Sequence, residues 1–111
     1  WHTAGEGVEE LLTAAAIGIV CLELNDAVPG REQQLDRERR LPNANGEIDM
    51  VTFITTVLGT GYDGPVHAEP HDESLRGRPA DQVAAMTAAA LASVLALAAP
   101  ASAGTPPAPR A

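Results

Sequence analysis

Apolar and polar positions along the chain alternate between helical and strand periods. Over residues 7–16, Val8, Leu11, Leu12 and Ala15 recur at the spacing of one buried helical face. Glu9 and Glu10 fall in the first turn, where the helix dipole favours acids. Gly18 follows. Ile19-Val20-Cys21-Leu22-Glu23-Leu24 is then a nearly continuous apolar run with β-branched residues, which predicts a strand buried on both faces in a parallel sheet. Residues 25–30 break it, and residues 31–46 are long, charged and poorly periodic. A loop of that length in a compact domain is usually functional or disordered.

Asp49 reads as an N-cap. Met50, Val51, Ile54, Val57 and Leu58 form the buried face of a second helix that ends at Gly59. Gly59 and Gly61 both suit the position just past a helix end. Asp63-Gly64-Pro65 is turn chemistry, and residues 66–70 are a short second strand. Pro79 fits the first turn of a third helix. Its stripe is Val83, Met86, Ala90, Leu91, Val94 and Leu97, and Pro100 stops it. The expected organisation is one structured segment over residues 1–99 and a disordered Pro/Ala-rich tail over residues 100–111.

Strands alternating with helices mean βαβ units and a parallel sheet. Two strands cannot stabilise such a sheet alone. Residues 1–5 read as a loop that follows a strand lying before Trp1. The expectation is therefore an α/β fold that forms the end of a larger protein.

Composition sharpens this. Val, Ile, Leu and Phe number 24 of 111 residues, and much of the remaining apolar content is Ala, so an isolated core would be thin. The net charge of −8, with seven Arg and no Lys, argues against a non-specific nucleic-acid face. The lack of Lys also excludes Schiff-base chemistry from this segment. The single Cys21 excludes an intrachain disulfide and a multi-cysteine zinc site. No signal peptide opens the chain, and the expected location is the cytoplasm. The apolar run over residues 84–99 is Ala-dominated and short of the ~20 residues that span a bilayer, so it reads as a core-covering helix.

Face parity then selects side chains. Cys21, Glu23 and Asn25 share one face of the first strand; His67, Glu69 and His71 share one face of the second. The opposite faces, Val20, Leu22, Leu24 and Val66, Ala68, Pro70, suit packing under helices. In parallel α/β folds, sites lie at the carboxyl ends of the strands. Two carboxylates on adjacent strand ends repel, and a divalent cation or a shared proton resolves that. Oxygen donors with an occasional His suit Mg²⁺, Mn²⁺ or Co²⁺, and Zn²⁺ where nitrogen dominates. Taken alone, Glu69 and Glu23 read first as solvated or Arg-paired carboxylates, with metal ligation as the second reading. His67 reads as a hydrogen-bonded core histidine, and His71 and Asp72 suit loop positions. Arg37-Glu38-Arg39-Arg40 reads as a solvated face, with an anion contact as the second reading.

Gly61-Tyr62-Asp63-Gly64-Pro65-Val66-His67-Ala68-Glu69-Pro70 resembles the last-strand motif of the sugar-phosphate isomerase/epimerase family, the xylose-isomerase-like (β/α)₈ TIM barrels. Leu22-Glu23-Leu24-Asn25-Asp26-Ala27, followed by Arg39-Arg40-Leu41-Pro42 and Gly46-Glu47-Ile48-Asp49, resembles the seventh strand and its loop. Glu73-Ser74-Leu75-Arg76 before Pro79 resembles the lead into the last helix. The resemblance implies the C-terminal part of such a barrel, about its last two and a half βα units, incomplete on its own.

The family resemblance further implies a divalent metal held from four strand ends. Glu69 matches the glutamate ligand of the eighth strand and would be catalytic as well. Glu23 occupies the seventh-strand position where the family often has a histidine ligand. His2 matches a substrate-contacting histidine, whose acidic neighbour would lie before Trp1. Arg39 matches an arginine that binds substrate oxygens. Asn43-Ala44-Asn45-Gly46 departs from the family's more glycine-rich loop. The implied activity is isomerisation or epimerisation of a sugar, sugar phosphate or related keto-polyol by proton transfer next to a carbonyl. The implied metal is Mn, Mg, Co or Zn, the partner a small sugar-type molecule rather than nucleic acid or membrane, with a homo-oligomer left open. The same barrel also hosts dehydratases, lyases and DNA-repair endonucleases, and a non-catalytic remnant fits the residues too. The piece alone is expected to be inactive.

Overall fold

A computed structural model describes residues 1–30 and 33–98. Three helices, α1 (Val8–Ile17), α2 (Met50–Gly59) and α3 (Ala80–Ala98), alternate with two short strands, β1 (Leu22–Glu23) and β2 (Val66–His67). Short 3-10 turns cover Asp36–Glu38 and Glu73–Leu75. The expected stop at Pro100 and the tail lie outside the described residues.

The two strands pair in parallel, Leu22 opposite Val66 and Glu23 opposite His67. β1, α2 and β2 thus form one βαβ unit, as the alternation predicts. Both strands are shorter than the 19–24 and 66–70 segments expected. Leu22 N–H donates to Pro65 O at 3.0 Å and Leu24 N–H to His67 O at 2.8 Å. Pro65 and Pro70 carry no N–H, so neither can extend the ladder as a donor. Among the described residues each strand has one neighbour, which leaves the flanking segments without a ladder. A side chain continues the pairing instead: Asn25 Oδ1 accepts from Glu69 N–H at 3.0 Å.

Face parity holds along β2. Val66, Ala68 and Pro70 are half-buried while His67, Glu69 and His71 are exposed. In the first strand Leu22 and Leu24 are buried, but Val20, expected beside them, is 87% exposed. The chain before Leu22 is unpaired, and Ile19 turns inward there instead.

Helix ends follow local chemistry. Glu10 Oε2 accepts from Gly7 N–H at 2.8 Å at the start of α1. Asp49 Oδ1 accepts from Thr52 N–H at 3.1 Å, the N-cap expected for α2. Gly61, at φ +89°, takes the left-handed position past α2, whereas Gly59 lies inside the last turn. Pro79 O accepts the first helical bond of α3 from Val83 N–H at 3.1 Å.

α2 is the central element, packed against both α1 and α3. Met50, Ile54, Leu24, Val94 and Ala98 form one buried cluster; Leu11, Leu22 and Val57 form a second, with Phe53 and Val66 touching both. Besides Pro42, only nine apolar side chains are buried among the described residues, so the core is as thin as the Ala-rich composition implies. On α3 the packing line runs through Leu91, Val94, Leu95 and Ala98. Leu97, expected in that stripe, is 64% exposed because it lies on the other side of Val94 around the helix. On α1 Leu11 alone is buried, and Val8 and Leu12 are exposed. α3 runs 19 residues, longer than the apolar run suggested, and by length and composition alone is long and apolar enough to cross a membrane; here Val94 and Ala98 pack in the core with α2.

Candidate functional site

The parallel register sets Glu23 and Glu69 on the same side of neighbouring strand ends, and Arg39 reaches between them from the long loop. Arg39 Nη1 lies 3.5 Å from Glu23 Oε1 and 3.2 Å from Glu69 Oε2. Its Nη2 bonds Asp36 Oδ1 at 3.0 Å. Each glutamate turns its other oxygen to a histidine: Glu23 Oε2 to His67 Nε2 at 3.4 Å, Glu69 Oε1 to His71 Nε2 at 3.3 Å. Asn25 Nδ2 donates to Glu23 Oε1 at 2.9 Å. The same Asn25 accepts from Glu69 N–H, so it ties the Glu23 side chain to the Glu69 main chain.

A cleft of about 360 Å³ opens beside this cluster. Glu23, Asn25 and Arg39 form one wall, and Trp1, His2 and Phe53 another. The Trp1 indole is fixed by a 2.9 Å bond from Nε1 to Gly7 O and by tilted packing on Phe53, ring centres 5.3 Å apart. The cleft mixes apolar floor and charged wall, as small-molecule sites do.

The four residues singled out in the sequence are thus gathered in one region. Glu23 and Glu69 each contact Arg39, and His2 lines the cleft with Glu23 and Arg39, whereas Glu69 lies outside its lining. His67 is not the core histidine expected: its side chain is 49% exposed and pairs with Glu23. His71 and Asp72 are loop residues, but His71 also partners Glu69. Arg39 is not merely part of a solvated face, since it contacts three carboxylates.

Cation binding depends on the donor set. Two glutamate oxygens converge on the Arg39 guanidinium, and the other oxygen of each turns to a histidine; carboxylate and imidazole are donor types that hard or borderline divalent ions take. Among the described residues no group of three His, Cys, Asp or Glu could hold a metal ion. Glu23 and Glu69 supply two carboxylate donors, fewer than a divalent ion takes, and the Arg39 guanidinium lies between them.

Two residues escaped sequence reasoning. Asp26 is the buried charged side chain, 7% exposed, and it accepts from Glu47 N–H at 3.3 Å and Ile48 N–H at 3.0 Å. Gly46 packs against it so closely that an added β-carbon would collide with the carboxylate. Locally Asn25-Asp26 is only a strand break and Asn45-Gly46 only a turn; no short-range signal links them. No protein-family model, curated protein or solved structure matches the chain.

Proposed function

We propose that this chain is the C-terminal part of a (β/α)₈ barrel enzyme, a metal-dependent isomerase or epimerase of a sugar, sugar phosphate or related keto-polyol. One observation carries the reading: Glu23 and Glu69 meet around Arg39 at the ends of two neighbouring parallel strands, beside a cleft. The motif resemblance of residues 61–70 supports it independently. Glu69 and Glu23 would hold the divalent ion, which when bound supplies Lewis-acid polarisation of a carbonyl.

The chain's own groups do the rest. Glu69 takes and returns a proton at the carbon next to that carbonyl, its Oε1 steadied by His71. Arg39 and His2 hold substrate oxygens, and Trp1 with Phe53 shields the cleft floor. The second proton-transferring carboxylate belongs to a strand outside this chain. The substrate is a small molecule rather than nucleic acid or membrane, the location cytoplasmic, and the isolated 111-residue chain inactive.

Deuterium exchange tests the step. With Mn²⁺ in deuterated water, the intact protein should wash deuterium into a ketose next to its carbonyl, and Glu69→Gln should abolish this; exchange that persists in the variant overturns the role of Glu69. The pairing of Arg39 with both carboxylates favours one second reading, a barrel remnant whose polar groups only tie strand ends together. In that case the wild-type protein shows no exchange.

A further inference from the structure

We infer that Asp26 is a positioning residue that sets Arg39 between Glu23 and Glu69, an inference that rests on reading those three as the functional site. The long loop leaves β1 and returns to α2, and both of its limbs are fastened to this one residue. The outgoing limb is held by main chain: Asp26 N–H donates to Arg40 O at 2.9 Å and Arg40 N–H to Asp26 O at 3.0 Å, an isolated antiparallel bridge. The returning limb is held by the side chain, whose oxygens accept from Glu47 and Ile48 N–H. Gly46 is the residue that can pass over the carboxylate there, since a side chain would strike it.

Arg39 precedes Arg40, so the bridge fixes its backbone from one side. His71 N–H, donating to Arg39 O at 2.9 Å, fixes it from the other. The guanidinium therefore starts from an anchored main chain, and less conformational entropy is lost in holding it between the two glutamates. Charge-assisted bonds to a buried carboxylate are stronger than neutral ones. Asp26→Asn replaces one acceptor with an NH₂ donor facing a backbone N–H, so one bond is lost and a donor is left opposed to a donor. Gly46→Ala attacks the same contact from the other side.

The test is made on the intact protein without metal or substrate, so its outcome is separate from that of the metal reading. Amide hydrogen exchange is compared in wild type, Asp26→Asn and Gly46→Ala, and the Arg39 Nε–H resonance is followed with arginine-selective isotope labelling. Exchange over residues 38–48 should rise by about tenfold or more in either variant, while α2 and α3 keep their protection. The Arg39 resonance should move to where the Glu23→Gln/Glu69→Gln double variant puts it. An unmoved resonance, unchanged loop exchange, or an equal loss of protection in α2 and α3 would each overturn the inference.

Discussion

Replacing Arg39 with Gln removes the one cation that Glu23 and Glu69 share among the described residues. The two oxygens facing it lie no more than about 6.7 Å apart, the 3.2 Å and 3.5 Å contacts laid end to end. At that separation two unit negative charges repel by about 0.6 kcal/mol in bulk water and about 2.5 kcal/mol at an effective dielectric of about 20. The groups are one-third to one-half exposed, so the lower figure governs. That repulsion is present with or without Arg39 and cancels in the comparison, so the cost is the lost attraction, about 0.2–1 kcal/mol for each glutamate pair and little for the largely exposed Asp36. Arg39→Gln should therefore cost about 0.4–2 kcal/mol of folding stability at low salt. This attraction is screened, so at about 1 M salt, where the screening length is about 3 Å, the cost should fall by half or more. Urea unfolding of the two proteins at both salt concentrations reads this directly. A cost that is absent at low salt, or that does not change with salt, refutes the electrostatic account of the cluster.

Asp49→Ala removes the N-cap of α2 and should lower stability by about 1 kcal/mol in the same assay. Ile54→Ala, at a fully buried position in the larger cluster, should cost about 2–5 kcal/mol. Tyr62 is the chain's sole tyrosine, so a phenolate absorbance titration reports it alone. Desolvation foremost, and then the Cys21 charge, push its phenol above the usual 10.0. The fold thus favours the protonated ring, whose hydroxyl donates to Pro65 O at 2.6 Å. That contribution is fully present below the ordinary pKa and lost as pH rises through the raised one, so the titration midpoint should lie above that of the unfolded chain, and a midpoint at or below it contradicts the structure.

What the sequence made legible was local. The Asp49 cap, the apolar spacing of α2 and the left-handed glycine at its end are short-range chemistry, and α2 lies where they put it. Strand parity grouped His67, Glu69 and His71 on one face because the side-chain period of a strand is fixed, though it did not say that this face is exposed. What stayed hidden depends on contacts far apart in the chain. Val20 is exposed because strand pairing stops at Leu22, and no residue near Val20 encodes that. His67 finds a carboxylate because β1 brings Glu23 opposite to it, which parity alone does not show. The Asp26 contacts with Glu47 and Ile48 span more than twenty positions, so periodicity carries no trace of them. Arg39 was picked out by motif resemblance, but its bridging of two glutamates follows from the loop's path over the strand ends.

The central claim is that Glu69 and Glu23 form part of a divalent-metal site. Its most direct test is a Mn²⁺ titration of the intact protein against Glu69→Ala and Glu23→Ala. The account predicts a single tight site in the wild type whose affinity falls in both variants, by about tenfold or more for Glu69→Ala. Unchanged affinity in Glu69→Ala would contradict it.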